Sequence, residues 1–322
     1  MANKLNSTKQ NKHRNINFRK VITAAILIVA VIVSALFTYG CGTGIPSWDD
    51  VYRTVGLSSA ASDEVYDNPL TVSFLDVGQG DSCIIHSDDF TMLIDSGVRY
   101  NESVIQEELD KLGVRKLDYV VCTHPHADHI GSMPEIFQMY TVGTVIMPYF
   151  NPADLEEPTI YNKTLKQIRI NGCDKIRVEP GVTFDEGEAH FTILGPVHRT
   201  SDCNNASVVL KLTYGNVSFL FTGDAEAIEE SEILSLGMDL KADVLKVGHH
   251  GSDSSSTNAF IRAVNPSVGV ISCGANNDYG HPHRETMDVL NRHNVEILRT
   301  DTSGTIVIGT DGEKLAYSSN IK

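Results

Sequence analysis

Positive charge is scarce in this sequence. Its 322 residues carry 26 Lys and Arg against 41 Asp and Glu, a formal charge of −15. Six of the cations (Lys4, Lys9, Lys12, Arg14, Arg19 and Lys20) fall in the first 20 residues, which hold no acid. The rest of the chain therefore has 20 basic against 41 acidic residues, a charge of −21, with its lysines and arginines dispersed. A body of that sign repels a polyanionic backbone, which excludes a protein that grips long duplex nucleic acid along a basic stripe. Cysteine is sparse as well: six residues (Cys41, Cys83, Cys122, Cys173, Cys203, Cys273) with no C-x-x-C spacing. Cys83, Cys122 and Cys273 sit in apolar runs and read as small core residues. There is no obvious repeat, no Gly-rich nucleotide cradle, and no serine in a nucleophile-elbow context, so a Ser-His-Asp triad lacks support.

One stretch lacks charge altogether. "VITAAILIVAVIVSALFTY", Val21 to Tyr39, comes directly after the cationic segment and is long enough to cross a bilayer. The basic flank keeps to the cytoplasmic side, which places the rest of the chain outside the cell. A signal peptide cut at "TYGC", with Cys41 lipidated or the product secreted, is the competing reading. Thr38 and Tyr39 suit a lipoprotein site poorly, so a single-pass anchor is expected. The implied organisation is a cytoplasmic tail (1–20), an anchor (21–39), a Ser/Ala/Asp/Gly-rich linker (40–68) and one catalytic domain (69–322).

That domain reads as alternating strands and helices. "TVSFLDVG", "DSCIIHS" and "FTMLIDSG" are strands joined by short turns. "ESVIQEELDKLG" puts Ile105, Leu109 and Leu112 on one helical face and ends at Gly113. "LDYVVCTH" and "TVIMPYF" are strands, and "TLKQIRING" is a short helix. A second strand-rich block ("HFTILGP", "SVVLKLTYG", "NVSFLFTGD") is followed by the helices "AEAIEESEILSLG", "NAFIRAVNP" and "RETMDVLNRH". Strands "DVLKVGHH" and "SVGVISCG" separate these helices, and "VEILRT", "GTIVIGT" and "KLAYSS" close the chain. Strand runs opening each half, with helices interleaved, predict an α/β (α+β) domain of two mixed sheets packed face to face with helices outside. Asp and His recur where strands end: Asp95, His124 to His129, Asp224, His249-His250, and His281 with His283. Five such ends suggest one shared rim.

The densest of them is "THPHADHIGS", residues 123–132. Imidazole nitrogen and carboxylate oxygen are the donors a Zn²⁺-type ion takes. H-x-H puts two imidazoles on one side of an extended segment, and D-H two residues on supplies a carboxylate and a third imidazole. One loop can therefore feed two metals. The pattern resembles the H-x-H-x-D-H signature of the metallo-β-lactamase-fold hydrolases. "DVGQGDS" (76–82), "IDSG" (94–97), "NNASVVL" (204–210), "FTGD" (221–224), "LKVGHHGS" (245–252) and "YGHPH" (279–283) are similar, in order, to one branch, the extracellular hydrolase domain of the competence protein ComEC. The multi-span channel of that protein is missing, so the chain looks like a stand-alone cousin.

The resemblance implies an αββα sandwich of four layers with a dinuclear centre at the sheet edges. One metal would be held by His124 and His126 and the second by Asp128 and His129, with Asp224 bridging both. Spacing does not choose between His249 and His250; we take His250 as the further ligand and His249 as its neighbour against a ligand or substrate. Asp95 would orient a ligand histidine through its free N–H. Asp76, Asp81 and Ser252 count as further residues around metals or substrate. Many family members supply another histidine to the first metal in mid-chain, where this chain has Asn204-Asn205. An amide oxygen is a harder, weaker ligand than imidazole, so that site would be looser or would prefer Mn²⁺ to Zn²⁺. His190 and His198 fit no motif and belong to the surface.

Two divalent ions, Zn²⁺ first and Mn²⁺ as the alternative, lower the pKa of a shared water and clamp the oxygens of a transferring phosphoryl group. The expected activity is therefore hydrolysis of a phosphodiester, with lactone, thioester or phosphocholine ester as the competing substrate class. His281 is the candidate to protonate the leaving alkoxide, and Asp128 and Asn204 complete the catalytic set. Backbone N–H groups of "GSDSSST" and the Asn204 amide would hold a non-bridging oxygen. With so few cations, engagement should be metal-dominated, on a short single-stranded DNA segment or end. Lys246, Arg262 and Arg284 are the local basic aids. No motif indicates a protein partner.

Overall fold

A computed structural model describes residues 65–155 and 158–319. The anchor and most of the linker lie outside the described residues. Within the described residues, no helix is long and apolar enough to cross a membrane.

The described chain forms two sheets. The first, of eight strands, has the order β15-β14-β1-β2-β3-β4-β5-β6, and the second, of seven, β13-β12-β11-β10-β9-β8-β7. The strands are β1 (Leu70–Phe74), β2 (Cys83–Ser87), β3 (Thr91–Ile94), β4 (Lys116–Val121), β5 (Thr141–Ile146) and β6 (Asp174–Ile176). They continue with β7 (Thr183–Glu186), β8 (Ala189–Gly195), β9 (Val209–Tyr214), β10 (Val217–Phe221) and β11 (Val244–Lys246). The last are β12 (Val268–Ile271), β13 (Glu296–Arg299), β14 (Ile306–Thr310) and β15 (Leu315–Ser319). The helices are α1 (Glu102–Lys111), α2 (Ala127–Ile130), α3 (Met133–Met139), α4 (Pro158–Asn171), α5 (Ala227–Ser235), α6 (Asn258–Val264), α7 (Arg284–Arg292) and α8 (Thr300–Ser303).

Side-chain alternation explains the layers. In β2 and β3, Cys83, Ile85, Met92 and Ile94 join the core between the sheets, while Ile84 and Leu93 point the other way, under the helices. A strand covered on both faces needs apolar residues at both parities, which is why these strands read as continuous hydrophobic runs. Between the sheets, Phe74 and Phe221 stack with centroids 6.1 Å apart. Outside the first sheet, Ile105 and Leu109 of α1, Ile136 and Phe137 of α3, and Tyr161 and Ile168 of α4 form one cluster. Outside the second sheet, Ile233 of α5, Phe260, Ile261 and Val264 of α6, and Leu290 of α7 form another. The fold is the expected sandwich of two mixed sheets between helices. Helix α4 begins at Pro158, six residues before the expected start, because proline is accommodated at a helix's first position. The short strands β6 and β7, half exposed at sheet edges, carry too little apolar signal to be read from sequence.

In each sheet one set of strands runs parallel: β3, β4, β5 and β6 in the first, and β10, β11, β12 and β13 in the second. The C-terminal ends of parallel strands share one edge, where α/β sheets bind ligands. Asp95 follows β3, His124 follows β4, Asp224 follows β10, His250 follows β11, and His281 lies in the loop after β12.

Candidate metal centre

The loop after β4 is fixed by its backbone. The N–H groups of His129 and Ile130 bond back to the carbonyl of His126, so the histidine motif runs directly into α2. Asp81 N–H donates to the carbonyl of Asp128 at 3.1 Å, and Ser96 N–H to that of His129 at 2.6 Å. A Cβ on Gly80 would lie 2.5 Å from the Asp128 carbonyl oxygen, so the approach of "DVGQGDS" to the motif loop requires glycine. Three functional residues hold left-handed backbone that glycine would favour: Asp95 (φ 57), His249 (φ 47) and His250 (φ 53). Each such conformation costs on the order of 1–3 kcal/mol and persists where the surrounding structure imposes it.

Asp128, His129, Asp224 and His250 each turn one donor atom into a space in which all lie within 4.8 Å of one another. His129 Nε2 is 3.2 Å from Asp224 Oδ2; His250 Nε2 is 3.6 Å from the same oxygen and 3.3 Å from Asp128 Oδ2. Alongside, His124 Nε2 lies 3.8 Å from Asp224 Oδ2 and 3.1 Å from His126 Nδ1. A tetrahedral ion with bonds of about 2.1 Å separates its ligand atoms by about 3.4 Å. The spacings match. His129 Nε2, His250 Nε2 and Asp224 Oδ1 are buried without a hydrogen-bond partner, an expensive arrangement unless a cation completes it. The residues present fit divalent metal.

The opposite ring edges show how the chain aims these atoms. His129 Nδ1 meets Asp95 Oδ2 at 2.7 Å, and Asp95 is held by the backbone N–H and hydroxyl of Thr123. His250 Nδ1 donates to the carbonyl of Ser272 at 2.9 Å and lies 3.2 Å from Asp81. His124 Nδ1 faces the hydroxyls of Thr123 and Ser207. Each ring thus engages Nδ1 and leaves Nε2 for a metal. Burial opposes charge on His250, yet Asp224, Asp81 and Asp128 outweigh it and push its pKa up to about 10. Burial opposes charge on His129 as well, and Asp224, Asp95 and Asp128 again prevail, raising its pKa well above the usual value. The pocket's carboxylates demand positive charge, the demand a divalent ion meets.

His249 sits beside this centre, with Nε2 3.7 Å from Asp224 Oδ2 and Nδ1 against Ser254 Oγ and Glu226. His250 is buried among the donors and His249 is half-buried at their side. Asp81 lies behind His250 in an ion pair of 2.7 Å with Lys246, which is itself buried. That burial corrects the reading of Lys246 as a substrate aid, since its ammonium is committed to Asp81. Arg262 and Arg284 are exposed and do not line the cleft either. Asp76 accepts the N–H of Gly78 and shapes the turn before Gln79, outside the cleft lining. Ser252 is buried, bonded to Ser254 and, through its carbonyl, to Thr286, and also lies outside the lining.

From Ser252 to Thr257, the N–H groups of "GSDSSST" are not available to hold an oxygen. The N–H groups of Ser252, Asp253, Ser254 and Ser255 are spent on His249, His283 and Ser252, and those of Ser256 and Thr257 on Glu230. The Asn204 amide N–H is likewise engaged, donating to Glu226 at 3.2 Å, while its Oδ1 is buried without a partner. His281 lines the cleft, and burial, followed by His250, His249 and His283, pushes its pKa down to about 4. His281 thus stands in the cleft where the sequence places it, with its ring held toward the uncharged form. His283 caps α7 and accepts the N–H of Asp253. His190, paired with Asp185, is exposed, as is His198. Sequence reasoning missed Glu226, which gathers Asn204, Ser254 and His249, and Thr123 and Ser207, which face His124. Their only signal was adjacency to motif residues.

The cleft over the donors has a volume of about 590 Å³, and no lysine or arginine is among the described residues that line it. The sequence profile of the Metallo-beta-lactamase superfamily matches residues 75–275. The chain is 34% identical over 254 residues to "ComE operon protein 3" of Bacillus subtilis, covering 73% of this chain and 32% of that protein. It is 31% identical over 288 residues to "Competence protein ComA" of Neisseria gonorrhoeae, covering 88% of this chain and 38% of that one. The chain thus spans about a third of the length of the relatives it matches. Among solved structures, CmlA, a diiron beta-hydroxylase from Streptomyces venezuelae, superposes with a TM-score of 0.51 at 17% identity, covering 78% of this chain and 57% of that one. At that identity the likeness is one of fold.

Proposed function

The chain belongs to the metallo-beta-lactamase superfamily, with relatives among the competence proteins, and from that premise we propose that it is a metal-dependent phosphodiesterase acting outside the cell on DNA or a fragment of it. The observation that carries the reading is the pair of buried, unpartnered nitrogens His129 Nε2 and His250 Nε2, spaced about Asp224 Oδ2 as ligands of one ion. His124, His126 and Asp224 would hold one divalent ion, and Asp128, His129, His250 and Asp224 a second, Zn²⁺ or Mn²⁺. Such a pair supplies Lewis acidity toward an ester oxygen and a lowered water pKa.

The chain's own residues bind and orient. Asp95, Ser272 and the hydroxyls of Thr123 and Ser207 fix the three buried imidazoles, so no reorientation is needed on loading. Asn204 lines the cleft and is held against Glu226 through its amide N–H. His281 offers an uncharged imidazole. A cleft without lysine or arginine among its described lining residues recruits a phosphodiester through the metals, which favours a short single strand or an end over a long duplex. The anchor would hold this domain at the outer membrane face.

The test is cleavage of single-stranded DNA, duplex DNA, bis(p-nitrophenyl) phosphate, a lactone and a thioester by the Mn²⁺- or Zn²⁺-loaded protein at two salt concentrations. Single-stranded DNA and the small diester should be turned over, with weak salt dependence. Turnover of the lactone or thioester alone would reject the phosphodiesterase reading.

A further inference from the structure

The ring of His281 has two nitrogen edges, and the fold uses one. Its Nδ1 lies 3.4 Å from Gln79 Nε2. The direction of that contact is settled at the other end of the Gln79 side chain, where Oε1 accepts the N–H of Gly274 at 3.0 Å. A backbone N–H only donates, so the carbonyl end of the amide faces Gly274 and the NH₂ end faces His281. An NH₂ donates as well. His281 Nδ1 must therefore present its lone pair, and the proton of the neutral ring sits on Nε2. No described residue hydrogen-bonds Nε2, and the ring lines the cleft.

The rest of the loop holds the ring still. Asn277 Oδ1 accepts the His281 N–H at 2.9 Å and Asn277 Nδ2 donates to the His281 carbonyl at 2.7 Å. Tyr279 stacks on the imidazole, with centroids 5.6 Å apart and an interplanar angle of 19°. A Cβ on Gly274 would come within 2.7 Å of Gln79 N, so a side chain there would force the two segments apart.

We propose that Gln79 is a positioning residue whose amide locks His281 in its Nε2–H tautomer, presenting a fixed N–H donor to an oxygen of the substrate. That this oxygen belongs to a phosphodiester rests on the function proposed above; the tautomer does not. A donor held in place before reaction costs no reorganisation when charge develops on the oxygen it addresses. The cleft, with no lysine or arginine among the described residues that line it, has need of one.

The experiment uses the full-length, metal-free protein labelled with ¹⁵N-histidine. Ring-nitrogen shifts report which nitrogen carries the proton, and His281 is assigned by the signals lost in His281→Gln. Wild type should show a protonated Nε2 and a bare Nδ1. Gln79→Leu should give a mixture of tautomers, and Gln79→Glu, which keeps the size but turns the donor into an acceptor, should put a proton on Nδ1. A protonated Nδ1 in wild type, or spectra indifferent to both variants, would overturn the proposal. On bis(p-nitrophenyl) phosphate with metal loaded, Gln79→Leu should lower kcat about tenfold, the scale of one hydrogen bond, with KM little changed. A raised KM at unchanged kcat would instead make Gln79 a binding residue and sink its positioning role. Should wild type cleave no phosphodiester, the hydrolytic reading fails, and the tautomer is still decided by the spectra.

Discussion

The two halves of the donor cradle are not built alike. Asp128, His129, Asp224 and His250 form a closed four-donor set, of which only Asp128 is partly exposed. The other half has the buried His124, the exposed His126 and a share of Asp224 at 3.8 Å, beside Asn204, whose N–H is turned to Glu226. The deep half is finished by the protein; the outer half leaves positions for solvent or substrate. Catalytic metal sites keep such an open position and structural ones do not. On the two-ion reading proposed above, the difference implies unequal affinity, with the outer site the more tolerant of Mn²⁺.

The largest effect should come from the oxygen both halves share. Asp224→Asn is expected to strip both ions and to lower phosphodiesterase activity by at least about 10³-fold, since losing a ligand exceeds the roughly 10–100-fold of losing its support. Elemental analysis and kinetics check it, and retention of one full ion would show that the halves do not share Asp224.

Next in size is the support behind the deep half. Lys246→Met leaves Asp81 buried without its cation, at an expected cost of about 3–5 kcal/mol in urea denaturation. Adding Asp81→Asn removes the stranded charge and should restore more than half of that loss. Additive losses would break the pairing.

His126→Ala should remove the outer ion alone, with activity down about 100-fold and partly recovered at raised Mn²⁺. Equal loss of both ions would erase the distinction between the halves.

The smallest effect lies away from the site and serves as its control. Glu229, on the buried face of α5 at 1% exposure, has its carboxyl pushed up from 4.5 to about 7 by burial, against the N–H of Val197 it accepts. Because the folded-state pKa is the higher, its contribution to stability is whole below pH 4.5 and fades as pH rises through about 7. Glu229→Gln should flatten that decline, gaining about 2–3 kcal/mol relative to wild type above pH 7 while leaving metal content unchanged. Parallel pH–stability curves would contradict it.

The same contrast separates what was legible in the sequence from what was not. The motif loop was readable because His124, His126, Asp128 and His129 lie within six positions and their spacing is their geometry. The strand ends carrying Asp95, Asp224 and His250 were readable because polar residues interrupt runs otherwise apolar at both parities. Lys246 was misread because its partner Asp81 lies far off in the sequence and no local pattern announces a buried ammonium. The segment after "GHHG" read as a ready anion loop, but Glu230, from α5, takes the N–H groups of Ser256 and Thr257. His249 and His250 both hold left-handed backbone, so strand alternation did not tell which ring turns inward among the donors.

The inequality of the halves is tested most directly by titrating the metal-free protein with Zn²⁺ in a calorimeter, with bound metal counted by elemental analysis. Two ions per chain should bind in separate steps, the tighter abolished in Asp128→Asn and the weaker in His126→Ala. A single ion per chain, or two of equal affinity lost together in either variant, would contradict the account.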